Sequence, residues 1–277
     1  MKKHILITGA TGFVGTQVLK SLKNTDVLIT LVVRGEPKKI FDDYSNIVKV
    51  ITTLDLFSEN ACWWEDKLEG IDTIIHLAWF VEPGEYLHSS KNMECCQGTL
   101  VIGKAAVKAG VKKFVGIGTC FEYDLSGGGR LSVTTPLDPL TPYAAAKAAL
   151  FIFMSQWLNS HNVDFAWCRL FYLYGEGEDR RRLVPYLREK ISLGEEVNLT
   201  SGKQIRDFID VSDAGDMIVK VALSASNGPH NICSAVPISV RQMAENIADE
   251  YGRRDLLKFD MRPDNEFDPP YVVGVRD

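Results

Sequence analysis

A short apolar run, His4 to Thr8, is followed by Gly9-Ala-Thr-Gly12-Phe-Val-Gly15 and then by a helical pattern through Leu22. Nothing else in the 277 residues limits the fold so tightly. A continuous apolar run with β-branched residues reads as a strand buried on both faces. Val14, Val18, Leu19 and Leu22 recur at helical spacing. Glycines between such a strand and such a helix meet three needs. Gly9 lets the chain turn sharply, Gly12 lets backbone approach a pyrophosphate on the helix N-terminus, and Gly15 lets helix and strand pack closely. The spacing is GxxGxxG rather than GxGxxG, and its strand-to-helix setting is what gives it weight.

The pattern then repeats. A second strand, Leu28 to Val33, ends in Arg34. An acidic residue at that point accepts from the ribose 2′-hydroxyl of NAD, whereas an Arg accommodates the 2′-phosphate of NADP. Arg34 therefore predicts NADP(H), with NAD(H) the second choice. A third strand, Ile47 to Thr52, leads to Asp55-Leu56. Asp55 is placed either to accept from an adenine amino group or to cap the next turn. A fourth, Asp72 to Leu77, ends in Ala78-Trp79-Phe80, and its carboxyl end should face a ligand crevice. His76 inside it reads as a packed core histidine. Asn92 to Gly110 is helical, and Lys112 to Gly118 is a fifth strand ending in Thr119-Cys120-Phe121-Glu122-Tyr123. A hydroxyl there is placed to hydrogen-bond a substrate oxygen. Strands alternating with helices predict right-handed crossovers and a parallel, doubly wound α/β sheet.

Tyr143-Ala-Ala-Ala-Lys147 carries the chemistry. Thr141 is a good N-cap and Pro142 a good first helical residue. Four residues apart on a helix, the Tyr and Lys share a face about 6 Å apart along the axis. An ammonium that close is expected to favour tyrosinate and lower the phenol pKa. A Tyr so tuned exchanges a proton with a carbonyl–alcohol pair near neutral pH.

Composition narrows the partners. A net charge of −5 suggests neither nucleic acid nor an anionic membrane. Cys62, Cys95, Cys96, Cys120, Cys168 and Cys233 form no CxxC pair and no zinc spacing, and read as buried thiols in a reducing cytoplasm. The N-terminus runs straight into a strand, and no apolar run reaches the roughly 18 residues of a membrane span. Asp179-Arg-Arg-Arg182 reads as a solvated loop, Ser126-Gly-Gly-Gly-Arg130 as a flexible loop or lid, and Trp63-Trp64 as packing under a loop. Pro263 to Pro270 reads as an acidic tail that orders on contact.

Taken in order, these segments resemble the extended short-chain dehydrogenase/reductases, in the epimerase/dehydratase group that acts on nucleotide sugars. The likeness runs from residue 1 to about residue 262. It rests on Thr8-Gly-Ala-Thr-Gly-Phe-Val-Gly15, Asp55-Leu56, His76-Leu-Ala78, Gly98-Thr99 and Thr119 four before Tyr123. It continues through Tyr143-Ala-Ala-Ala-Lys147, Arg169-Leu-Phe-Tyr-Leu-Tyr-Gly175, Arg206-Asp-Phe-Ile-Asp210-Val-Ser-Asp213 and Asn231-Ile232. The resemblance implies a Rossmann domain over residues 1–174 and a smaller α/β substrate lobe, mainly residues 175–277, with the chain free to interleave between them. By position, Tyr143 is the general acid/base, Lys147 holds the nicotinamide ribose and tunes Tyr143, and Thr119 bonds the reacting sugar oxygen. Gly9, Thr11, Gly12, Phe13, Val14 and Gly15 contact the cofactor diphosphate. Arg34, Asp55, Leu56, Leu77, Ala78, Trp79 and Phe171 complete the cofactor lining. Arg206 reaches the diphosphate of a nucleotide-sugar substrate, and Trp79, Cys120, Phe121 and Tyr172 line its path. No metal is implied. The resemblance further implies a homodimer, with Leu150, Phe151 and Phe153 available to a two-fold helical interface.

Departures refine this. Dehydratases of the group follow the Thr with Asp-Glu, which exchange protons with the sugar. Here Cys120-Phe121 stands instead, and Phe has no proton to give. That argues against 4,6-dehydration. Tyr172 replaces an Asn that commonly contacts the substrate phosphate, and Cys95 replaces an Asn one helix away. The group's Leu-Gly-Trp-x-Pro tail has no counterpart, so either the C-terminal lobe is reduced or the chain is cut short. The expected reaction is NADPH-dependent reduction of a 4-keto-6-deoxy nucleotide sugar. A 4-epimerase with retained NAD is the alternative within the fold, and a catalytically silent NADP(H) sensor or scaffold the alternative outside it.

Overall fold

The computed structural model describes residues 2–35, 41, 43–265 and 268–276. The chain opens with β1 (Lys3–Thr8), α1 (Phe13–Leu22), β2 (Val27–Arg34), β3 (Ile47–Thr53), α2 (Ala61–Lys67), β4 (Thr73–His76), α3 (Lys91–Ala109) and β5 (Lys113–Thr119). A 3-10 turn over Cys120–Glu122 and the short β6 (Arg130–Leu131) lead into α4 (Pro142–Asn159), β7 (Asp164–Leu170) and β8 (Tyr172–Tyr174). Next come α5 (Leu183–Ser192), β9 (Val197–Asn198), β10 (Ile205–Asp210), α6 (Val211–Leu223) and β11 (Gly228–Ile232). The described chain closes with β12 (Pro237–Ser239), α7 (Val240–Glu250), β13 (Leu257–Lys258) and β14 (Tyr271–Gly274).

Seven strands form one parallel sheet in the order β11-β7-β5-β4-β1-β2-β3. Its apolar strands are buried on both faces, as their runs predict. Ile5 and Ile7 pack with Val18 and Leu22 of α1 and Ile218 of α6. Leu6, one residue out of phase, packs on the other face with Trp64 of α2, Ile102 of α3 and Met154 of α4. Each such side chain contributes about 1.5–3 kcal/mol on burial. The chain leaves β1 towards β2 on one side and returns through β4 on the other. That reversal opens a crevice at the carboxyl ends of β1 and β4.

A smaller sheet runs β12-β10-β14-β6, with β8 also paired to β10, and β13 pairs β9 apart from it. It is mixed: β10 lies parallel to β14 and β8 but antiparallel to β12. A separate apolar cluster, including Leu187, Ile191, Val197 and Ile247, fastens α5 and α7 beside it. The chain crosses between the sheets, since β6 precedes α4 yet joins the small sheet, while β11 follows α6 yet joins the large one.

Several expectations change here. Trp63 and Trp64 sit on α2 rather than under a loop; Asn60 Oδ1 caps that helix by accepting from Trp63 N at 3.0 Å. Arg130, expected in a flexible loop, pairs in β6 with Val273 of β14. Cys62 is exposed and Cys96 half-buried; the other four thiols are buried and all six are free. Leu150 cannot serve an interface, because the helical period turns it to the core, where it is 1% exposed. Phe151 packs on Phe165 and Trp167. The residues α4 offers outward are Ile152 and Phe153, 57% and 54% exposed. Among the described residues no helix is long and apolar enough to cross a membrane, and no cluster of side chains could hold a metal ion.

Candidate active site

The crevice is a cavity of about 1090 Å³, and every candidate residue named from the sequence lines it. At its floor the backbone turns at Gly9 with φ of 73°. A Cβ there would lie 2.6 Å from Ala78 N, so β1 and the end of β4 approach too closely for any side chain. A Cβ at Gly15 would lie 2.1 Å from Gly9 O. Gly12 is the N-cap of α1 and brings no capping side chain. The helix N-terminus, with its partial positive charge, thus faces the cavity bare. Arg34 ends β2 with an exposed side chain. Asp55 does what one of its two readings required: its Oδ1 accepts from Phe57 N at 3.1 Å, while the residue also borders the cavity.

Thr119 at the end of β5 meets Tyr143 and Lys147 of α4 from the opposite wall. Thr141 starts α4 as expected, accepting from Ala144 N at 3.3 Å, and Pro142 fills the first turn. The Tyr143 ring lies edge-on to Tyr86 at 4.9 Å and to Trp79 at 6.5 Å. Its phenol is raised well above the usual range, not lowered. Burial is the largest cause, with Tyr86, Glu122 and Cys120 adding to it and the hydrogen bond with the Thr119 hydroxyl opposing. The expected lowering by Lys147 does not prevail, since an amine drawn down to about 7 is already neutral where the phenol titrates. Lys147 is 4% exposed, its Nζ donates to Ile117 O at 2.6 Å and it sits 3.7 Å from the Trp79 ring centre. Burial pulls this amine down to about 7, against Glu122, Cys95 and Cys96, which raise it. The site therefore holds a neutral phenol beside an amine that titrates near neutrality, an arrangement able to give a proton to a carbonyl oxygen and replace it.

Three neighbours escaped the sequence reading. Tyr86, on the segment after β4, closes over Tyr143 and gives no signal in sequence. Glu122 lies fully buried under Thr119; its Oε1 accepts from Thr119 N at 2.8 Å. The signal for it was present, since Thr119-x-x-Glu122 is a capping box. Glu178 borders the cavity half-buried, and burial pushes its carboxyl up to about 7 against the Gly175 amide and Arg182. Conversely, Cys120 offers no acid–base chemistry, its thiol being pushed up to about 12 by burial. Phe121 stacks edge-on to Tyr172 at 5.9 Å.

Arg206 is placed in the cavity wall but is not a free guanidinium. It is 2% exposed, its Nη1 donates to Ile205 O at 2.8 Å, and its Nη2 lies 2.6 Å from Asp268 Oδ1. That second contact is an ion pair without hydrogen-bond geometry. Of the triple-Arg loop, Arg181 pairs with Asp179 and Glu82 at the rim, and Arg182 lies 5.6 Å from the Tyr86 ring.

Comparison with known proteins agrees with this fold. The model of the NAD dependent epimerase/dehydratase family matches residues 5–234. The dTDP-6-deoxy-L-talose 4-dehydrogenase (NAD(+)) of Aggregatibacter actinomycetemcomitans is 25% identical over 99% of this chain and 100% of its own. The CDP-abequose synthase of Salmonella typhimurium is 25% identical over 77% of this chain and 68% of its own. Among solved structures, a UDP-N-acetylglucosamine 4-epimerase from Methanobrevibacter ruminantium M1 superposes with a TM-score of 0.86 at 22% identity, over 100% of this chain and 90% of that one. At that identity the likeness speaks for the fold.

Proposed function

We propose, for a chain that belongs to the NAD dependent epimerase/dehydratase family, that it is an oxidoreductase-type enzyme reducing a 4-keto-6-deoxy nucleotide sugar. One observation carries the choice among the family's reactions. Next to Thr119 stand a thiol pushed up to about 12 and a phenyl ring, so neither neighbour can serve the proton exchanges of dehydration. The end-to-end similarity to a 4-dehydrogenase of a dTDP-6-deoxy sugar supports the same position and the same kind of substrate.

The residues suit a nicotinamide dinucleotide. The Gly9–Gly15 turn leaves the N-terminus of α1 uncovered for a diphosphate, Arg34 is exposed for a 2′-phosphate, and Asp55 and Leu56 border the adenine end. Leu77, Ala78, Trp79, Lys147 and Phe171 line the other half. NADPH, once bound, supplies a hydride to C4 of the sugar. Tyr143 gives its proton to the C4 oxygen; the phenol is neutral and so carries that proton. The Thr119 hydroxyl orients that oxygen. Lys147, an amine near 7, restores the proton to Tyr143. Tyr172 and Arg206 border the sugar-nucleotide end of the cavity. Preference for NADP over NAD rests on Arg34 alone, and the NAD(+) of the 4-dehydrogenase relative pulls the other way.

The same reading divides the chain near residue 174 into dinucleotide and substrate units, and the six free thiols suit a reducing cytoplasm. It also takes the enzyme to be a homodimer through α4, where Ile152 and Phe153 are exposed. Sedimentation should give a dimer, and a Phe153→Arg chain that stays dimeric would remove that face from consideration.

The test is NADPH oxidation against a panel of 4-keto-6-deoxy nucleotide sugars. Stoichiometric consumption is expected with one of them. A 4-epimerase, the alternative within the same fold, would instead interconvert sugars with NAD retained and no net redox. Cofactor binding without any turnover would leave a sensor.

A further inference from the structure

Glu122 keeps a carboxylate at no exposure, directly under the turn that presents Thr119. A lone carboxylate in such a place costs several kcal/mol, so its partners decide its state. Oε1 accepts from Thr119 N at 2.8 Å and from Trp167 Nε1 at 3.0 Å. Oε2 accepts from Arg169 Nε at 2.7 Å and from the same Trp167 N–H at 3.1 Å. Burial raises the carboxyl above its ordinary value, but every partner is a donor and Arg169 is a cation, and all of them favour the ionised form. The space is held open for it: a Cβ on Gly118 would fall 2.3 Å from Oε1 and 2.2 Å from Trp167 Nε1.

Arg169 does not spend its whole charge here. Its Nη1 donates to Tyr123 Oη at 3.1 Å, its Nη2 makes no hydrogen bond, and its plane lies 4.4 Å from the Phe151 ring. The carboxylate's partners link it to the reacting groups: the Trp167 ring lies 5.9 Å from Lys147 Nζ, and Thr119, whose N–H the carboxylate holds, bonds Tyr143 through its hydroxyl. Around Tyr143 stand Tyr86, Cys120, Thr119 and Glu122. Around Lys147 stand Cys95, Cys96, His76, the Trp79 and Trp167 rings and Glu122.

We infer that Glu122 is a positioning residue: it pins the Thr119 backbone through the capping turn and sets a fixed negative charge beside Tyr143 and Lys147. The inference rests on the proposed function only in naming those three as the proton-transfer group. The charge relation stands without it. Burial draws the Lys147 amine down to about 7 although Glu122 raises it, so loss of that charge carries it lower still. A purely structural loss would act in the opposite sense, because water reaching Lys147 returns it towards 10.5.

The experiment titrates Lys147 by NMR in 13C-lysine-labelled protein, with its signal assigned by loss in Lys147→Arg. A midpoint near pH 7 is expected for the native chain, and one lower by about one unit or more in Glu122→Gln. An unchanged or raised midpoint overturns the inference. Because a Gln amide would set an N–H against Arg169, the variant risks misfolding. A second measurement therefore uses the native chain. The Glu122 carboxyl carbon, assigned through its backbone, is expected to keep an ionised shift at pH 7, and a protonated carboxyl there overturns the inference equally. Failure of NADPH to be oxidised with any keto sugar would defeat the proposed reaction and leave both titrations as they stand.

Discussion

A side chain that gives up a proton needs the proton to be present at working pH. A phenol carries it at neutral pH in any case; burial of Tyr143 raises the phenol further and makes that proton harder to give, and the hydrogen bond with the Thr119 hydroxyl opposes the shift. Tyr143→Phe should therefore lower kcat by about 10²–10⁴-fold, the range for a positioned acid, and leave NADPH affinity within about twofold. Stopped-flow reduction beside equilibrium fluorescence separates the two. An unaltered kcat would remove Tyr143 from the chemistry. The Tyr and Lys were legible because a four-residue helical interval fixes their common face whatever surrounds it. The direction of the phenol shift was not. It depends on burial and on Tyr86, neither of which the interval encodes. Lys147 likewise looked like a neighbour of the phenol, yet its amine donates a hydrogen bond to the carbonyl of Ile117, thirty residues away.

At the scale of elements the reading held best where a strand is apolar and covered on both faces. β1, β2, β4 and β5 lie within a residue of their expected ends, because a continuous apolar run admits little else. It failed for β6, two residues beside a glycine run, whose pairing with β14 is decided more than a hundred residues later. The central strand β4 yields a prediction of its own. His76 bonds Thr8 Oγ1 at 2.8 Å and Thr99 Oγ1 at 3.0 Å, and burial draws its imidazole from 6.5 to about 3. The unfolded chain takes up that proton below about pH 6.5 and the native chain does not until about pH 3. The neutral ring thus contributes stability above the first value that is lost as pH falls, at ~1.4 kcal/mol per pH unit. Urea midpoints from pH 6.5 to 4 should fall less steeply in His76→Gln than in the native chain. Parallel slopes would mean that the ring is protonated inside the fold.

Between the two sheets, sequence says least, because the contacts that matter join residues far apart. Arg206 on β10 was legible as an anion-binding cation and Pro263 to Pro270 as an acidic stretch that orders on contact, but nothing in sequence joined Asp268 to Arg206. A nearly buried guanidinium attracts whichever anion is nearest, and here the chain supplies one. Asp268 Oδ1 lies 2.6 Å from Nη2, with a third of its side chain still exposed. A nucleotide diphosphate directed to Arg206 must displace a carboxylate that is already present. The exchange replaces one anion by another and so never leaves the buried guanidinium unpaired, which is where the large cost would lie. Asp268→Asn removes the competitor and keeps the shape, so dTDP or UDP should bind a few-fold more tightly in calorimetry. The gain should shrink in high salt, which screens the charge at issue. Weaker binding in Asp268→Asn would mean the opposite relation: the carboxylate then aims Arg206 at the nucleotide rather than occupying its place.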